Sequence, residues 1–380
     1  MSGSTEILAY HQRRHRDWVE LLRQIVELES PTSDKEAVDR CGAFLKSHLE
    51  AAGASVQVLP QEKFGDFLRA EYGAGEGGQI LVLAHFDTVW PLGQKERMPI
   101  VEKDGSLWGP GVLDMKCGVM YTLAALYALK ELGRTPRRKV VLLYTSEEEF
   151  GSPVSRALIE AEARRSEAVL VLEPAVAHSG ALKTSRKGIG MFQVRVEGRP
   201  SHAGGNPRGG VSAIEEMARQ VIRLHSLTDY EMGTYVNVGV IKGGTRRNVV
   251  AAEATAEIDL RATTAAEGER ATQAILGLTP FHSEARVTVT GGMNRPPMER
   301  TEGIARLFGR ASSIAAELGF DLQEGHSGGG SDGNFTAGLG IPTLDGLGAM
   351  GDGAHAFDEH TETAPIPQRA ALLTRLMLEL

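Results

Sequence analysis

The chain has 380 residues, 42% of them hydrophobic, which exceeds the usual size of one domain and provides apolar material for two cores. A formal charge of −8 disfavours a nucleic-acid or anionic-membrane partner, for which a basic stripe would be expected. Two cysteines, Cys41 and Cys117, make no disulfide framework. Met1 to Arg16 has no apolar core of signal-peptide length, and no later run reaches the roughly 18 apolar residues of a membrane span. The expectation is a soluble cytoplasmic protein without a membrane partner.

In chain order, Trp18–Leu28 and Asp34–Ala52 carry apolar residues at helical spacing, and Val56–Leu59 and Phe67–Tyr72 read as strands. Leu81–Asp87 is an apolar strand that ends in His85-x-Asp87, delivering an imidazole and a carboxylate to one sheet edge. Taken alone, such a histidine is more often a satisfied, non-ligating residue. Gly118–Gly133 reads as a helix buried by its apolar content. It separates a glycine-rich loop carrying Asp114 from the strand Lys139–Thr145, which runs into Glu147-Glu148-Glu149. Glu173 follows the apolar run Ala168–Leu172. Strand, helix and strand again predict an α/β domain with a mixed, mostly parallel sheet, whose ligands gather at the carboxyl ends of the strands.

After Lys187 the pattern changes: Phe192, Val194 and Val196 alternate with Gln193, Arg195 and Glu197, and alternation returns in Ala254–Arg261. Period two marks a half-solvated sheet. Val211–Leu227 and Thr264–Leu278 fit helices packed on it, so an inserted α+β domain is expected over residues 187–293. The first domain, residues 1–186 and 294–380, resumes with a helix at Gly303–Leu318 and a strand at Ile341–Leu344. A helix over Gln368–Leu380 closes it, and Gly325–Gly333 reads as a tight loop.

Asp114, the glutamate triplet, Glu173 and His355 change the reading of His85, because imidazole and carboxylate together suit zinc. No cysteine joins the set, which argues against a closed structural zinc site. Cys117 reads as a small buried residue at a helix start. The motifs His85-x-Asp87, Gly-x-x-Asp114, Ser146-Glu147-Glu148, Glu173-Pro174, Pro200-Ser201-His202-Ala203-Gly204, Gly328-Gly329-Gly330-Ser331-Asp332 and Gly353-Ala354-His355 occur in that order. Together they resemble the metallopeptidase family of glutamate carboxypeptidases, aminoacylases and succinyl-diaminopimelate desuccinylases. The likeness runs from about residue 20 to 378 and is greatest to the carboxypeptidase G type.

The resemblance implies two zinc ions, with cobalt or manganese as substitutes, bridged by Asp114. His85 and Glu173 would complete one position, Glu148 and His355 the other. Asp87 would accept the second N–H of His85 and fix its tautomer, and Glu147 would be the general base, the alternative being a solvated acidic turn. His202 would reach the active site to stabilise the oxyanion, often from a partner subunit, which makes the inserted domain a dimerisation and lid domain and the protein a homodimer. Asn248, Arg261 and Arg295 would contact the substrate. Glu149-Phe150 departs from the carboxypeptidase G type, which tends to have a basic residue there. The implied function is a metal-dependent amide hydrolase that releases a C-terminal, acidic amino acid from a small peptidyl or N-acyl substrate. Alternatives are an aminoacylase, deacetylase or dipeptidase on the same two metals, or a non-catalytic metal-binding module.

Overall fold

In the computed structural model, which describes residues 3–75 and 77–380, the strand Gln79–His85 is buried along its whole length. Met1, Ser2 and Glu76 lie outside the described residues, as does the part of the signal-peptide reading that rests on the first two. Ile80, Val82 and Ala84 turn into one core, while Leu81 and Leu83 turn into a second with Val141, Leu143, Ile159, Val169 and Phe335. A continuous apolar run is what a strand covered on both faces requires. The sheet order is Ser55–Leu59, Phe67–Tyr72, Lys139–Thr145, Gln79–His85, Ser166–Val171 and Thr343–Leu344. Antiparallel pairing joins the first three strands. The last four are parallel, so their carboxyl ends emerge on one edge, where His85 pairs with Thr145. This is the mixed α/β sheet expected from the sequence.

The helix Cys117–Glu131 is buried on nearly every side. Its Gly118 leaves no room for a side chain, since a Cβ there would meet the carbonyl oxygen of Leu172 at 2.1 Å. By length and composition Val112–Glu131 is apolar enough to cross a membrane, a span that sequence reading had excluded, yet 89% of its apolar 18-residue window is buried, as befits a core helix. Ile366–Glu379 packs beside Cys117–Glu131. The helix Gly3–Arg13, which sequence reading missed, lies on that closing helix and buries Ile7 and Tyr10.

The chain divides into two compact units. One holds Met1–Ser185, Arg300–Ser327 and Ser331–Leu380, the other Arg186–Glu299 and Gly328–Gly330. The second unit passes residue 293 because Arg186 and Met298 exchange two backbone hydrogen bonds of 3.0 Å. It is an antiparallel sheet in the order Tyr235–Gly243, Glu253–Ala262, Gly188–Glu197 and Arg286–Arg295. Phe192, Val194, Val196, Ala254, Ala256, Ile258 and Leu260 point inward, under the helices Ala213–His225 and Ala265–Leu276. Ser212 and Thr264 start these helices by accepting from the N–H groups of Glu215 and Glu267, which satisfies donors that a first turn leaves unpaired. The expected loop Gly325–Gly333 is shorter than read, because Glu324–Ser327 pairs as a strand with Leu182–Arg186.

Candidate metal centre

Three of the four parallel strands of the first unit end in a group of the cluster or run on into one. His85 closes Gln79–His85, its ring 2% exposed. Glu173 follows Ser166–Val171, after Leu172 has donated its N–H to the carbonyl of Leu83 (3.0 Å). Beyond Lys139–Thr145 the chain turns at Glu147 into a single 3-10 turn, Glu148–Phe150. Asp114 comes from the turn before the helix Cys117–Glu131. His355 sits at φ +62°, a left-handed conformation that costs a non-glycine residue energy and is tolerated where function needs it.

Asp114 stands between the two imidazoles. Its Oδ1 is 3.2 Å from His85 Nε2, and its Oδ2 is 3.4 Å from His355 Nε2. Glu173 lies 3.6 Å from His85 Nε2, and Glu149 Oε2 lies 3.3 Å from His355 Nε2. Donor atoms of His85, Glu148 and Glu173 lie within 4.8 Å of one another, as do those of His85, Asp114 and Glu149. Asp87, fully buried, accepts from Thr32 Oγ1 at 2.7 Å and from the N–H groups of Glu148 and Glu149 at 3.4 Å. Its main-chain oxygen is 3.1 Å from His85 Nδ1, and its Oδ1 3.4 Å. Asp87 thus ties the His85 ring to the glutamate turn through both its carbonyl and its carboxylate.

Four carboxylates, Asp114, Glu148, Glu149 and Glu173, face two imidazoles, and the electrostatics show the demand for positive charge. Burial alone would lower His85, but its hydrogen bonds to Asp114 and Asp87 outweigh burial and hold the ring well above its ordinary pKa. His355 is raised to about 11 by Asp114 and then Glu149. Burial pushes Asp114 up, yet the two imidazoles win and hold it well below the usual carboxylate range. Burial raises Glu149 to about 7 against the pull of His355. Glu149 Oε1 is buried without a hydrogen-bond partner. Oxygen and imidazole donors with one unsatisfied buried oxygen fit a pair of divalent cations sharing Asp114.

The structure corrects the reading of the glutamate triplet by one residue. Glu147 is fully buried, and its carboxylate accepts from the N–H groups of Val154 (3.0 Å) and Ser155 (2.7 Å) and from Ser155 Oγ (2.9 Å). It secures the start of the helix Arg156–Ala163 and stands outside the cluster. Glu148 groups instead with His85 and Glu173, and the acid beside His355 is Glu149. A 3-10 turn rotates each residue by about 120°, so three consecutive identical side chains point in three directions. One signal was in the sequence. Sliding the triplet by one leaves Phe150 alone as the departure from the carboxypeptidase G type.

Within the second unit, His202 and Asn248 are exposed on adjacent loops, joined by Ala203 N–H donating to the Asn248 carbonyl at 3.0 Å. His202 Nδ1 accepts from the N–H groups of Gly204 (3.1 Å) and Gly205 (2.9 Å). The neutral ring therefore carries its hydrogen on Nε2 and presents a donor. Arg261 does not offer a free fork. Its Nε and one Nη donate to the two oxygens of Asp259 at 2.7 and 3.0 Å. Arg295 is 3% exposed, opposite Ile189 at a strand end.

Comparison with known proteins places this geometry. The profile of peptidase family M20/M25/M40 matches residues 81–379. Carboxypeptidase G2 of Pseudomonas sp. (strain RS-16) is 31% identical over 374 residues, covering 95% of this chain and 89% of that protein. The crystal structure of aminopeptidase PepT from Bacillus cereus superposes with a TM-score of 0.76 at 21% identity, covering 96% of this chain and 98% of that one. That of the Bacillus subtilis YXEP protein, described as a dinuclear metal binding peptidase of the M20 family, superposes with a TM-score of 0.70 at 15% identity, covering 97% and 98%.

Proposed function

The chain belongs to peptidase family M20/M25/M40 and is a metal-dependent hydrolase, and on that premise we propose that it works with two metal ions as a carboxypeptidase, releasing a C-terminal acidic amino acid from a peptidyl or N-acyl substrate. The observation that carries the reading is Asp114, with one oxygen directed at each imidazole. His85 and Glu173 would hold one ion and Glu149 and His355 the other, zinc being the cation that best suits such donors. When bound, the ions would make a water acidic near neutral pH and polarise the scissile carbonyl.

The chain's own residues do the rest. Glu148, beside His85 and Glu173, takes the proton of the attacking water and returns it to the leaving nitrogen. The Nε2–H of His202 donates to the oxyanion as it forms, and Asn248 on the adjacent loop binds substrate. Arg261 meets a substrate carboxylate through the N–H groups that its pair with Asp259 leaves over. Support for a carboxypeptidase over an aminoacylase or dipeptidase comes from the 31% identical relative, a carboxypeptidase by name. Support for a homodimer comes from the second unit. Tyr235–Gly243 is an edge strand with exposed Val240 and Ile241, and the neighbouring helix exposes Ile214 and Ile222.

The test is turnover of the zinc-loaded protein on N-acyl and peptidyl glutamates, on N-acetyl amino acids and on free dipeptides. The expected outcome is preferential release of a C-terminal acidic residue, lost on chelation and restored by zinc, cobalt or manganese. Full turnover after exhaustive metal removal sinks the two-metal reading, while preference for dipeptides or acetyl amino acids transfers the function to the alternative.

A further inference from the structure

Glu359 lies four residues beyond His355 and is 1% exposed. Its carboxylate accepts four hydrogen bonds. Oε1 receives the backbone N–H groups of Leu113 at 2.9 Å and Asp114 at 3.1 Å. Oε2 receives the N–H of Gly111 at 2.9 Å and the indole Nε1–H of Trp90 at 2.8 Å. Every acceptor direction of the carboxylate is thereby used, so Glu359 is no candidate ligand. Gly111 has φ +72°, and a Cβ there would meet Thr88 Cγ2 at 2.5 Å. The glycine lets three N–H groups of one turn converge on a single anion, in the manner of a backbone nest.

Three segments meet on this side chain: the loop after the His85 strand through Trp90, the turn that carries Asp114, and the stretch that carries His355. The carboxylate of the same Asp114 has an oxygen on each imidazole.

We propose that Glu359 is a positioning residue of the metal centre, which fixes the Asp114 turn against the His355 segment and so sets the geometry of the ion position formed by Asp114, Glu149 and His355. The inference rests on the two-metal reading above. Glu359→Gln keeps the shape but turns one acceptor oxygen into an amide nitrogen that must face two N–H donors. One pair of bonds is lost and the turn is released on that side. Loss of a carboxylate that supports the ligands in this way costs about 10–100-fold in metal affinity.

The experiment is titration of the metal-free full chain with zinc against a competing chromophoric chelator, for wild type, Glu359→Gln, Glu359→Asp and Trp90→Phe. Wild type is expected to take up two equivalents. In Glu359→Gln one equivalent should stay near wild-type affinity and the other weaken by roughly 10–100-fold, with turnover recovering as zinc is raised. Trp90→Phe removes one donor of four and should weaken the same equivalent less. Should Glu359→Gln fail to fold, Glu359→Asp, which keeps the charge and shortens the reach, is expected to show the same split. Two equivalents bound by the variants as tightly as by wild type, or weakened equally, overturn the role of Glu359 alone. Absence of a second equivalent in wild type overturns the two-metal reading and this inference with it.

Discussion

Six buried residues run into His85, and a core on each sheet face fixes where that imidazole stands. His202 in the second unit is exposed, and two N–H groups of its own loop hold its ring. In the first unit the functional groups therefore feel one another: burial strengthens every charge interaction, and imidazoles and carboxylates shift each other's proton affinity. In the second, local hydrogen bonds decide which ring nitrogen carries the hydrogen. A group of the first kind can be tied to stability and metal affinity as well as to the rate, whereas one of the second kind can matter to the rate alone.

The largest expected effect sharpens the buried side of this contrast. Glu148→Gln should lower the turnover number by roughly 10²–10⁴-fold while metal content stays near wild type. Glu147→Gln, one residue away, should leave turnover within about threefold but destabilise the protein by about 1–3 kcal/mol, because a buried hydrogen-bond network loses its match. Denaturant unfolding and steady-state rates on both variants check this. A dead Glu147→Gln beside an active Glu148→Gln would falsify the one-residue correction.

Next, His202→Ala should cost about 10²–10³-fold in the turnover number, with little change in KM and none in the unfolding midpoint. A fall in stability without loss of rate breaks the contrast, since the exposed loop would then be structural.

The smallest effect separates burial from charge. His11 is fully buried like His85, but its partner is a hydroxyl, Thr374 Oγ1 at 2.9 Å, in place of a carboxylate. Burial, with a smaller push from Arg14, lowers its pKa to about 3. The unfolded chain therefore binds the proton first. The stability that His11 contributes is complete above about pH 6.5 and is lost as pH falls towards 3, at about 1.4 kcal/mol per unit. Against His11→Gln, the wild type should lose unfolding free energy between pH 6 and pH 4 at roughly that rate, and the two should run parallel above pH 7. Parallel behaviour throughout would mean that the ring is hydrated.

Much of this was legible from the chain. His85, Asp114, Glu173 and His355 were all named from apolar runs and glycine-rich loops; parallel strands deliver His85 and Glu173 to one edge, and the Asp114 turn and the His355 stretch meet them there from outside the sheet. The glutamate triplet was legible only as a place, since alternation and helical period say nothing about a three-residue turn. Arg261 was read without its partner, because Asp259, two positions earlier on the same face of its strand, pairs with its Nε and one Nη. Gly3–Arg13 was missed because its apolar residues are few, and its burial comes from the distant closing helix.

The bare backbone at Gly118 has a mechanical consequence. With no side chain as a cushion, the first turn of a buried 15-residue helix leans straight on the peptide group that precedes Glu173. The helix acts as a strut: load on its far end, at Glu131, reaches the acid through rigid backbone. A sideways shift of this strut moves a carboxylate of the cluster, so a mutation about 20 Å along the helix can detune the chemistry while touching none of its atoms.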